Sequence, residues 1–106
     1  MTPRIHTVAL LIALLASALP LATHASMNLA LDKGCLNCHG TPPHSKAPTV
    51  AELATRFASA KGNEAEIEKL SARLREHHLF GGVPAHERLS DEEAERFVRW
   101  LVDGAK

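Results

Sequence analysis

Apolar residues recur every three or four positions in three stretches of the chain, and each stretch begins with a helix-capping signal. Thr49 and Ser90 are each followed by a glutamate three residues later, which is the spacing of a capping box, and Asn63 occupies the equivalent place before the second stretch. The apolar positions of the three stretches are Val50, Leu53, Ala54 and Phe57; Ile67, Leu70 and Leu74; and Ala94, Phe97, Val98 and Leu101. The pattern predicts three amphipathic helices, the middle one extending to about His77.

A shorter stretch around Leu29 and Leu31 predicts one more helix, ending near Lys33. Residues 41–48 and 79–89 are rich in proline or glycine and are predicted to be loops. No stretch shows the alternation of a strand, so the predicted fold is all-α with about four short helices. Loops of this length are unusual in a small domain.

The first 25 residues have the features of a secretory signal peptide. Arg4 supplies a positive start, residues 8–21 are largely apolar, and Ala25 is a small residue suited to cleavage. Because the apolar run is short for a membrane span, we expect cleavage and export to the periplasm. Residues 26–106 would then form the mature domain, with no membrane span. An uncleaved anchor is the alternative.

Charge and size narrow the possible functions. The chain has 106 residues, with twelve basic and twelve acidic side chains and no net formal charge. This balance offers no electrostatic basis for binding nucleic acid. A domain as small as residues 26–106 often needs a disulfide, a metal or a cofactor to stabilise its core.

The two cysteines of the chain stand in a C-x-x-C-H motif formed by Cys35, Cys38 and His39. This motif is typical of covalent c-type haem attachment, with two thioether anchors and a histidine as proximal iron ligand. A thioredoxin-like redox pair would be expected near a βαβ pattern, which is missing here. A zinc site would need two further ligands; His44 and a later histidine are available, but the adjacent Cys38 and His39 would crowd a tetrahedral ion. A disulfide between the two cysteines would close a very short loop.

Beyond this motif, the chain resembles the short bacterial class I cytochromes c over nearly all of residues 26–106. The matching segments are residues 33–39, 47–48, 53–58, 80–84, 90–94 and 99–102. The resemblance implies the small class I cytochrome c fold wrapped round one covalent haem c. It also implies single-electron exchange with redox partner proteins, with no enzymatic reaction. By the same resemblance, the Pro48 carbonyl would orient His39, and Arg73 would face a haem propionate.

The family's second iron ligand, a methionine, is missing from its usual loop. Residues 83–88 read Val-Pro-Ala-His-Glu-Arg, so Ala85 stands in the methionine's place and has no donor atom. The one methionine left in residues 26–106 is Met27, which is remote from this loop in the sequence. Ligation by histidine and methionine is therefore not expected, and a lower haem potential follows, because methionine raises it.

Three arrangements of the distal side remain open. His86 lies one residue from the lost methionine, and imidazole is a good iron ligand. His77 or His78 is the second possibility, since the segment before the loop is shorter than in the family. In the third arrangement the sixth position is open, and a diatomic ligand such as O₂, NO or CO could bind there. The first two favour electron transfer. The third would allow gas binding or sensing, and a haem subunit of a larger redox enzyme is a further alternative.

Overall fold

The computed structural model describes residues 22–44 and 46–106, the first four of them by their backbone alone. The helices are α1 Ala22–Asp32, α2 Leu36–His39, α3 Val50–Phe57, α4 Glu64–Leu74, α5 Pro84–Glu87 and α6 Asp91–Val102. A 3₁₀ turn at Ala58–Ala60 extends α3. No strand occurs among the described residues. The prediction of an all-α fold is confirmed.

The predicted capping residues form hydrogen bonds at the N-termini of the three amphipathic helices α3, α4 and α6. The Thr49 backbone N–H donates to the Glu52 carboxylate over 2.7 Å, and the Glu52 N–H donates to the Thr49 hydroxyl over 3.2 Å. Ser90 and Glu93 form the same reciprocal pair at 2.9 and 3.1 Å. The Asn63 side chain accepts the N–H of the residue three positions later over 3.1 Å. These bonds satisfy N–H groups that a helix leaves free at its start.

Helix α6 is the centre of the fold, and α1, α3 and α4 all pack against it. Its six buried residues are Ala94, Phe97, Val98, Trp100, Leu101 and Val102. Ala30 of α1 and Ala94 of α6 belong to one buried cluster, and their small side chains are compatible with a close approach of the two helices. On an adjoining face of α6, Val98 and Val102 pack with Ile67 of α4. The helices thus converge on α6 and leave a cavity beside it.

Two predicted boundaries are wrong. Helix α4 ends at Leu74 rather than near His77, because no apolar residue follows at helical spacing to hold another turn against the core. Residues 84–87, predicted to be part of a continuous loop, form the single helical turn α5. Pro84 stands at the start of this turn, where its fixed φ angle suits a helix and its missing N–H costs nothing.

The predicted signal peptide lies mostly outside the described residues, so the boundary at Ala25 stays a prediction. Helix α1, Ala22–Asp32, includes the expected cleavage point after Ala25. The buried Ser26 hydroxyl donates to the Arg96 carbonyl of α6 over 3.3 Å. Within the described part of the chain, none of the helices has the length and apolar character needed to cross a bilayer.

Candidate haem site

A cavity of about 660 Å³ opens between the helices beside α6. Its walls are mainly apolar and include Leu53, Leu70, Phe97 and Leu101. This volume lies within the range of small-molecule and cofactor pockets. The cysteine motif and the segment that carries Ala85 and His86 both line the cavity, so the fold brings the two sequence regions of interest to one place.

The end of α1 positions the first cysteine. The N–H of Gly34 donates to the Leu31 carbonyl over 3.1 Å, and the N–H of Cys35 donates to the Ala30 carbonyl over 2.9 Å. This pair of bonds is a Schellman motif, and its left-handed position is occupied by Gly34, with φ +72°. The motif ends α1 and turns Cys35 back toward the core, where it packs against the cluster that contains Ala30.

Helix α2 then brings the rest of the motif to the cavity. The N–H of His39 donates to the Cys35 carbonyl over 2.9 Å, which closes one helical turn. Residues three and four positions apart share a helix face, so Cys35, Cys38 and His39 all line the cavity. Both cysteines are free thiols, and burial raises the pKa of the Cys35 thiol. A disulfide between them is absent.

The His39 ring is held by the loop that precedes α3. Its Nδ1 lies 2.5 Å from the Pro48 carbonyl oxygen. Because a carbonyl can only accept, Nδ1 carries the proton and donates this bond, which leaves the lone pair on Nε2. This is the arrangement in which a histidine ligates a metal through Nε2. The sequence-predicted pair of His39 and Pro48 is therefore together in space.

His86 of α5 lies beside His39 in the cavity. The two ring centroids are 6.1 Å apart, and the ring planes differ by 14°. Burial lowers the pKa of His86, and the nearby His39 lowers it further. Both effects favour the neutral imidazole, which has a free lone pair. Ala85 also lines the cavity and offers it only a methyl group.

His77 and His78 lie elsewhere: both are exposed, and neither lines the cavity. His77 Nδ1 is 2.6 Å from a carboxylate oxygen of Glu87. The backbone N–H of His78 donates to the other oxygen over 3.4 Å. The sequence analysis did not identify Glu87 as a functional residue. The one feature that could have indicated it is its position directly after His86, a candidate iron ligand.

Two further cavity residues are polar. Arg73 of α4 lines the cavity and is exposed, so its guanidinium is accessible to an anionic group. Trp100 of α6 is buried, and its indole N–H has no hydrogen-bond partner among the described residues. A buried donor without a partner is costly. Since Trp100 also lines the cavity, a bound group with an acceptor could satisfy it.

These residues fit a covalently bound haem. The cavity supplies apolar walls, two free thiols, a histidine with its tautomer set and a second imidazole facing the same space. A haem would be anchored by the thiols and ligated by His39, and it would fill the space that the long loops surround.

Two curated relatives are similar to the chain. Cytochrome c-552 of Hydrogenobacter thermophilus is 28% identical over 83 residues, which cover 76% of this chain and 82% of that protein. Cytochrome c-551 of Pseudomonas aeruginosa is 30% identical over 74 residues, which cover 67% of this chain and 68% of that protein. No protein-family model matches the chain, and no solved structure is significantly similar to it. With its all-α fold and its cavity lined by the C-x-x-C-H motif, the chain belongs to the class I monohaem cytochromes c, whose members carry one covalently bound haem c.

Proposed function

We propose that this protein is a periplasmic carrier of single electrons whose haem iron is ligated by His39 and His86. Cys35 and Cys38 anchor the cofactor through thioether bonds. The observation that carries the proposal is the placement of the His39 and His86 rings in one cavity, with centroids 6.1 Å apart.

This separation suits two ligands of one ion. An imidazole–metal bond is about 2 Å long and the ligating nitrogen lies about 1 Å from its ring centroid, so two imidazoles on opposite sides of one ion have centroids about 6 Å apart. The 6.1 Å between the His39 and His86 ring centroids agrees with this value. His86 therefore needs no large movement to serve as the distal ligand.

The other candidates are less well placed. His77 is engaged by Glu87 and its side chain is 72% exposed, and His78 is exposed as well. Ala85, at the place of the family's methionine, has no donor. Among the residues that line the cavity, His86 is thus the one that would supply a second imidazole to the iron.

The bound haem supplies reversible one-electron chemistry at its iron, and the protein supplies its surroundings. The apolar side chains of Leu53, Leu70 and Phe97 line the cavity and would pack against the porphyrin. Arg73 is available to a propionate. Two imidazole ligands predict a lower potential than one imidazole and one methionine. Once the cysteines and histidines are engaged, no acid, base or nucleophile remains among the residues lining the cavity, so we propose electron transfer to partner proteins without catalysis.

The test is the absorption and electron paramagnetic resonance spectrum of the holoprotein, with and without CO. The wild-type protein should be six-coordinate and low-spin in both oxidation states, and its ferrous form should not take up CO promptly. His86→Ala should be high-spin and bind CO at once, and added imidazole should restore the low-spin spectrum.

His77→Ala and His78→Ala are the matched controls and should keep the wild-type spectrum. A His86→Ala protein that stays low-spin would exclude His86 as the ligand. A wild-type protein that is high-spin and binds CO would instead favour the gas-binding alternative with an open sixth position.

Export is the second part of the proposal. The supporting features are the positive start at Arg4, the apolar residues 8–21 and the small residue Ala25. Intact-mass analysis of protein from the periplasm should give residues 26–106 plus one haem. A mass that includes residues 1–25 would indicate a retained anchor, and a mass without haem would contradict the proposed attachment.

A further inference from the structure

The segment from His77 to Glu87 forms a loop whose two ends are joined by one carboxylate. Glu87 directly follows His86, and its side chain is only 19% exposed. One of its oxygens lies 2.6 Å from His77 Nδ1, and the other accepts the His78 backbone N–H over 3.4 Å. Glu87 therefore holds the two histidines at the start of the loop beside the turn that carries His86.

Gly82, in the same loop, leaves the space that the carboxylate occupies. A Cβ atom at Gly82 would overlap a carboxylate oxygen of Glu87 and would lie 3.3 Å from the His78 Cβ. The backbone of Gly82 is not left-handed, so a side chain at this position would displace the flexible Glu87 carboxylate and would not strain the backbone. The position of the Glu87 carboxylate thus depends on the absence of a side chain at residue 82.

Three histidines of this loop are chemically equivalent as iron ligands, because each offers an imidazole nitrogen. Their selection must therefore come from where the protein holds them. We propose that Glu87 is a positioning residue that selects the distal ligand: it keeps His77 and His78 outside the cavity and leaves the iron to His86. This inference rests on the proposed function, in which His86 ligates the haem iron.

The test is Glu87→Ala in the holoprotein, measured by ferric electron paramagnetic resonance. The wild-type protein should show one low-spin species. Losing a hydrogen bond between a carboxylate and a partly exposed partner shifts an equilibrium several-fold to about tenfold, so a second low-spin species should rise by about that factor. Gly82→Ala displaces the same carboxylate without removing it and should produce the same second species.

Double variants identify the source of the second species. It should disappear in Glu87→Ala/His77→Asn or in Glu87→Ala/His78→Asn. Glu76→Ala is the matched control, since Glu76 is an exposed glutamate next to His77 and its removal should leave one species. A second species that persists when both histidines are replaced would overturn the inference.

The inference and the proposed function fail in different ways. If Glu87→Ala and Gly82→Ala both keep the single wild-type species while His86→Ala loses the low-spin state, Glu87 does not select the ligand, but His86 is still the ligand. If His86→Ala keeps the low-spin state, the proposed ligation itself is wrong.

Discussion

Val98→Ala should lower the free energy of unfolding substantially although it removes only two carbon atoms, because Val98 is buried between α4 and α6. Its side chain is 1% exposed and belongs to a buried cluster with Ala60, Ile67 and Val102. Leu70 and Leu74 of α4 pack against the same cluster. No polar atom is involved, so the substitution removes packing alone.

The magnitude follows from the atoms removed. Valine loses two buried carbons on conversion to alanine, and each contributes about 0.8 kcal/mol of transfer free energy. The remaining void of at most about 50 Å³ adds up to about 1 kcal/mol if the helices do not collapse into it. The expected loss of unfolding free energy is therefore about 2–3 kcal/mol. For a domain of this size, that corresponds to a fall in Tm of roughly 8–24 °C.

The assay is guanidinium unfolding of the holoprotein, followed by far-ultraviolet circular dichroism. Leu31→Ala is the control: it removes more carbon than Val98→Ala, but Leu31 is 58% exposed and should change stability by less than about 0.5 kcal/mol. The two variants should keep the wild-type absorption spectrum, because neither removes a donor atom. A Val98→Ala variant as stable as Leu31→Ala would refute the packing of α4 on α6 described above.

Three further predictions concern the cap of α6, acid stability and the distal site. Ser90→Ala should lower the unfolding free energy by about 1 kcal/mol in the same assay, because it removes one side of the α6 capping box. The Ser90 backbone N–H and the Lys33 ammonium lower the pKa of Glu93 from 4.5, so its contribution to stability is present above that pH and is lost as the pH falls through the lowered value. Glu93→Gln should therefore show a shallower loss of stability below pH 4.5 than the wild-type protein in acid titrations of unfolding, and an equal slope would contradict the assignment. Ala85→Met/His86→Ala should be low-spin and have a higher haem potential than the wild-type protein by potentiometric titration, because methionine replaces imidazole; a double variant with the same high-spin spectrum as His86→Ala would show that residue 85 does not reach the iron.

The parts of the fold that could be predicted from the sequence depend on residues close together in the chain. The capping boxes at Thr49 and Ser90 join residues three positions apart, and the apolar face of α6 repeats within one helix. The C-x-x-C-H motif is local in the same sense, since one turn of α2 brings Cys35, Cys38 and His39 to one face. Short-range geometry alone determines these features, so the spacing of residue types is sufficient to find them.

The distal side of the site could not be predicted in this way. Whether His86, His77 or His78 faces the cavity depends on how residues 75–90 fold back onto α6, and no periodic pattern describes that segment. Two long-range contacts shape it: Glu87 holds His77, and Arg75 Nε donates to the Leu89 carbonyl over 2.6 Å. Neither contact has a spacing that a sequence pattern could show.

Under the proposed ligation, the single turn α5 would allow a histidine to serve in place of a methionine one position away. In a long helix, adjacent residues point about 100° apart, so a shift by one position would turn the donor away from the cavity. Helix α5 is one turn long and is set by Pro84 at its start, and both Ala85 and His86 line the cavity. Under the proposed ligation, a change confined to this turn lowers the haem potential and leaves the core around α6 unchanged.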